Sequence, residues 1–103
     1  MVDRRHSLGE IGGFTEARPS VVLVAGRRLT VFLRDGEFYV IDDTCPHRGG
    51  PLGQGHVDGF EVYCPMHGWA FDFRTGACIT HPNRRVRSYE NSVRDGHLWV
   101  RLG

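Results

Sequence analysis

Glycine-centred turns cut most of this 103-residue chain into pieces the length of strands. Gly26, Asp35-Gly36, Asp58-Gly59, Thr75-Gly76 and Asp95-Gly96 recur along its whole length, and Gly or Asp-Gly supplies the positive φ that a tight hairpin requires. Residues 21–24, 29–34, 37–42, 60–63, 70–73, 86–90 and 97–102 are short runs rich in β-branched and aromatic side chains, and each predicts a strand. Helix candidates are scarce, so the expected fold is all-β and built from antiparallel hairpins. Alternation assigns the faces. Leu29, Val31 and Leu33 point one way and Thr30, Phe32 and Arg34 the other, while Leu98, Val100 and Leu102 repeat the pattern near the end. These apolar rows are the expected core.

Residues 44–59 resist a strand reading. They are full of Gly, Pro, Cys and His, and a loop of that length in a small domain usually serves a function. The chain has the size of one ordinary domain, and 40% hydrophobic with 24% charged residues is a globular composition. Thirteen basic against twelve acidic side chains leave a formal charge of +1, without the basic surplus that drives nucleic-acid binding. Apolar runs reach only four or five residues, so no membrane partner is expected. The first six residues, Met-Val-Asp-Arg-Arg-His, do not open a signal peptide, and a cytoplasmic address is expected. In that reducing compartment three cysteines predict ligands or free thiols instead of a disulfide framework.

Two of those cysteines sit in matching surroundings. Cys45-Pro46-His47-Arg48-Gly49 and Cys64-Pro65-Met66-His67-Gly68 are half-sites that each hold one thiol and one imidazole within a tight loop. A metal site is the economical explanation. Zinc modules usually pair Cys with Cys and His with His. A mixed pair in each loop suits a two-iron cluster between the loops, with cysteines on one iron and histidines on the other.

Cys-x-His at 45–47 followed by Cys-x-x-His at 64–67 resembles the signature of the Rieske [2Fe-2S] family, and the resemblance extends over roughly the whole chain. It implies a single domain over residues 1–103: a small antiparallel β-sandwich or barrel with an inserted cluster-binding subdomain, its loops at about 43–53 and 64–69. It also implies one Rieske-type [2Fe-2S] cluster, with Cys45 and Cys64 on the inner iron and His47 and His67 on the outer, more exposed one. Two neutral imidazoles in place of thiolates make the centre less negative, and such clusters span about −150 to +300 mV against about −400 mV for all-cysteine plant-type clusters. The respiratory branch of the family carries an extra cysteine in each loop and a serine after the second His-Gly. Gly50, Met66 and Trp69 stand at those positions here, which places the potential low in the range and the chain in the soluble ferredoxin branch.

Within that branch residues 45–52 and 64–76 look closest to the small subunit of assimilatory NADH-dependent nitrite reductases, and almost as close to the ferredoxins of aromatic-ring dioxygenases. The implied role is one-electron transfer from a flavin- and NAD(P)H-dependent reductase to a terminal oxidoreductase. Turnover of a substrate by this chain itself is not expected, because it ends at Gly103 without a mononuclear-iron domain. A zinc-stabilised interaction module and an iron–sulfur redox sensor are the alternatives. Elsewhere, Cys78 is expected to be a small buried hydrophobe. His6, His56, His81 and His97 are expected at surface or ordinary hydrogen-bonded positions, with His56 notable for lying between the loops. The arginine pairs at 4–5, 27–28 and 84–85 read as solvated surface. Trp69 and Phe71 could screen the cluster or fill the core, and Leu52 could lie over the cluster or pack ordinarily.

Overall fold

A computed structural model describes residues 5–102; the expectations for the N-terminal residues 1–4 lie outside them. The described residues form ten strands: β1 (Arg5–Glu10), β2 (Ser20–Val24), β3 (Arg27–Arg34), β4 (Glu37–Asp42), β5 (His56–Asp58), β6 (Glu61–Tyr63), β7 (Ala70–Asp72), β8 (Ser88–Tyr89), β9 (Asn91–Arg94) and β10 (His97–Arg101). The described residues contain no α-helix, only single 3-10 turns at Ile11–Gly13 and Leu52–Gln54. All the named strand pairs are antiparallel. They make three sheets, ordered β1-β10-β9, β2-β3-β4-β8 and β5-β6-β7. In the turns Ala25-Gly26, Asp35-Gly36 and Asp95-Gly96 both central residues have positive φ, the mirror-image geometry that matches strand twist.

The third sheet is an insertion. The chain leaves the four-stranded sheet after β4, builds the small sheet and its loops, and returns at β8 to pair again with β4 through Val40–Tyr89 and Ile41–Ser88. The β3–β4 hairpin is therefore the wall between two cores. On one side Leu29, Val31 and Val40 pack against Leu8, Leu98 and Val100 from the β1-β10-β9 sheet. On the other, Phe32 and Ile41 pack against Val62, Phe71 and Phe73 from the insertion, and the Phe32 and Phe73 rings stack at 4.1 Å. This corrects the one-sided reading of alternation. Thr30 and Phe32 are buried like Leu29 and Val31, because both faces of the wall are covered, whereas Leu98, Val100 and Leu102 form the expected single apolar row.

Three strands escape the sequence pattern. β1 and β9 are polar and mostly exposed, and hydrogen bonds to β10 hold them in place more than apolar content of their own. β5 lies inside the segment expected to be loop, and pairs with β6. The strand expected over 86–90 shortens to Ser88–Tyr89, since Val86 N–H turns away to bond the Gly76 carbonyl.

Asp43 ties wall to insertion. Its buried carboxylate accepts from the Thr30 hydroxyl and the Gly53 N–H, each at 2.8 Å, and pairs with Arg28 at 3.4 Å. Its backbone carbonyl takes the Leu52 N–H at 2.7 Å. Arg28 is thus more than solvated surface. Asp43→Ala leaves the Thr30 hydroxyl and Gly53 N–H without their acceptor, and is expected to lower unfolding free energy by about 3 kcal/mol in urea titrations of the intact protein.

Candidate metal centre

The two Cys/His segments fold into near-copies of one loop. Cys45 N–H bonds Gly50 O at 2.9 Å and Gly49 N–H bonds Cys45 O at 2.8 Å; Cys64 N–H bonds Trp69 O at 2.7 Å and Gly68 N–H bonds Cys64 O at 2.9 Å. The fourth residue after each cysteine sits at φ 71° or 74°, a conformation that glycine adopts at little cost. The sequence shows no long repeat, yet Cys-Pro-x-x-Gly recurs at both places and encodes this shared turn. The loops differ at the next position, where the first has Gly50 and the second Trp69.

That difference lets the loops interlock. A Cβ on Gly50 would lie 2.7 Å from Cys64 Sγ and 2.6 Å from Met66 Cγ, so the first loop accepts the second only without a side chain there. Trp69 in turn stacks its indole on the His47 ring, 4.4 Å between centroids and 11° between planes.

The four predicted donors come together as two pairs. Cys45 and Cys64 are buried together within the insertion's core. His47 and His67 meet edge to face at 4.8 Å, with His47 half-buried and His67 exposed. Among the described residues no three His, Cys, Asp or Glu side chains are gathered tightly enough for a single metal ion. Two buried thiols and two adjoining imidazoles, one of each from either loop, are instead the donor set that a two-iron unit needs.

Local electrostatics agree with that chemistry. Burial pushes the Cys45 thiol above its ordinary pKa, the backbone N–H groups of His47 and Arg48 oppose the shift, and the neighbouring Cys64 thiol adds to it. A metal bound there would take the place of the thiol protons. Burial lowers the His47 pKa, with the nearby His67 and Arg48 charges next in effect, and favours the neutral imidazole that metals bind. His47 Nδ1 is buried and has no hydrogen-bond partner. An orphaned, buried nitrogen on the loop that also carries the buried Cys45 fits a metal–sulfur group, which would supply the missing partner.

The other candidates separate. Cys78 is buried, as expected, with its thiol 3.5 Å from Thr80 Oγ1. Leu52 is fully buried in the same core as both loop cysteines, and Phe71 is core, whereas Trp69 covers His47. His56 is exposed on β5, 6.0 Å from the Tyr63 ring, and His97 bonds Ser7 Oγ at 3.2 Å. His81 is more than an ordinary surface residue. It stacks on the far face of Trp69 at 3.8 Å, a contact without a ligand-type spacing to announce it.

Residues 6–90 match the Rieske [2Fe-2S] domain. The chain is 38% identical to the oxygenase component of 3-ketosteroid-9-alpha-monooxygenase from Mycolicibacterium smegmatis, over 92% of this chain but only 27% of that protein, so it spans about a quarter of that relative's length. It is 36% identical to the anthranilate 1,2-dioxygenase ferredoxin subunit of Burkholderia cepacia, over 95% of this chain and 92% of that one. The Sphingomonas yanoikuyae B1 ferredoxin superposes with a TM-score of 0.89 at 29% identity, covering 96% of this chain and 99% of the other.

Gly50→Ala is expected to force the loops apart and reduce the iron retained on purification to a minor fraction. Gly12→Ala, where an added Cβ meets nothing within 4 Å, is expected to leave the iron-to-protein ratio unchanged.

Proposed function

The chain belongs to the Rieske [2Fe-2S] domain family, and from that footing we propose that it works as the ferredoxin of an oxygenase system, holding one cluster and passing single electrons between two proteins. Electron transfer through a Rieske-type [2Fe-2S] cluster is the function its family and ferredoxin relatives share. Cys45 and Cys64 would hold the inner iron, and His47 and His67 the outer one. The observation that carries this assignment is the orphaned, buried Nδ1 of His47, two residues along the same tight loop from the buried Cys45.

A Rieske-type cluster held by these four residues would supply one-electron chemistry, and the protein's own groups would set how readily an electron is taken up. The buried cysteines exclude water from the inner side, while the exposed His67 edge offers an exit to an acceptor. The donor would be a flavin- and NAD(P)H-dependent reductase, and substrate turnover would belong to the terminal oxygenase. Near full-length similarity to a dioxygenase ferredoxin subunit favours that system over the small subunit of nitrite reductase. Residues 1–103 would act as one domain in the cytoplasm. No helix among the described residues is long and apolar enough to cross a membrane.

Anaerobically purified protein is expected to be red-brown, with iron and acid-labile sulfide in equal amounts, and to relay electrons from such a reductase to a ring-hydroxylating oxygenase. Colourless protein carrying zinc would overturn the reading. If the cluster survives, His67→Cys is expected to lower the potential by on the order of 100 mV, because a thiolate adds negative charge to the outer iron; protein-film voltammetry reads the shift.

A further inference from the structure

We propose that His81 is a positioning residue for the centre, acting through Trp69 to fix the ring plane of His47. This rests on the reading of His47 as a ligand. Three rings form a continuous stack: His47 and Trp69 at 4.4 Å and 11°, then Trp69 and His81 at 3.8 Å and 19°. The indole is held from both faces. His67, by contrast, is exposed and meets His47 edge-on at 65°.

The outer ring of the stack is anchored to the fold. Ala70 N–H donates to Thr80 Oγ1 at 3.2 Å, and the same hydroxyl shares a hydrogen bond with His81 Nδ1 at 3.1 Å. Ile79 N–H bonds Ala70 O at 2.7 Å, Arg84 N–H bonds His81 O at 2.9 Å, and Cys78 N–H bonds Arg84 O at 3.1 Å. The turn carrying His81 is therefore fastened to β7, the strand that begins directly after Trp69. A ring that rests on one face of the indole while a ligand rests on the other limits rotation of that ligand about its Cβ–Cγ bond. Outer partners that orient a ligand ring tune both metal retention and electronic structure.

His81 is exposed, so its replacement removes the stack's outer member without opening the core. The test compares holoprotein of the wild type, His81→Ala and His81→Phe, with His56→Ala as a remote histidine control. The readouts are the electron paramagnetic resonance of the reduced cluster, including its histidine-nitrogen couplings, and the rate of iron release to a chelator. His81→Ala is expected to broaden the signal and raise iron release about 10-fold, the low end for outer partners of metal ligands. His81→Phe restores a flat ring and is expected to return both readouts toward wild type. Failure of His81→Ala to hold the cluster, repaired by His81→Phe, also supports the proposal. A normal wild-type signal that His81→Ala leaves unaltered, or equal damage in both His81 variants, would overturn the clamp alone. A wild type without a Rieske signal would overturn the ligand reading and this proposal with it.

Discussion

Everything at the metal centre depends on two similar loops fitting face to face, and the fit is decided at one structurally equivalent position. Five residues after its cysteine, the first loop has Gly50 and the second has Trp69. The missing side chain lets Cys64 and Met66 close on the first loop, and the large one reaches across to cover His47. The same backbone turn is thus used twice with opposite side-chain volumes.

The loops need a stiff support, and the β3–β4 wall provides it. Its two faces bury separate cores, so the insertion rests on a sheet held in place from behind by β1 and β10. Asp43 joins the two regions with a side chain bonded to Thr30 on the wall and to Gly53 in the first loop. Buried carboxylates are costly unless fully partnered, and here the partners come from both regions that must keep register.

Much of this was legible in the sequence because it is encoded locally. Asp-Gly turns, β-branched runs and two Cys/His steps each carry their meaning within a few residues; they predicted the all-β class and most strands, and pointed to the two cysteines and two histidines that the structure pairs by kind. What escaped was encoded by neighbours. β1 and β9 depend on β10 for their hydrogen bonds, and β3 is buried on both faces because a second layer arrives from an insertion more than twenty residues later. His81 lies fourteen positions beyond His67 with no spacing rule to connect them, and only the fold brings it to Trp69. Trp69 and Phe71, alike in the sequence, part because β7 directs Phe71 inward while Trp69 still belongs to the loop.

The pairing of β1 with β10 places both ends of the described chain in the sheet that packs on the wall's opposite face from the loops. Polypeptide joined at either end would extend from the back of the molecule and leave the redox tip unobstructed. The architecture is therefore portable: it can serve as a free-standing carrier or be spliced into a larger catalyst. A similar segment making up about a quarter of a steroid-monooxygenase oxygenase component, and nearly all of a dioxygenase ferredoxin subunit, is what such a cassette leads one to expect.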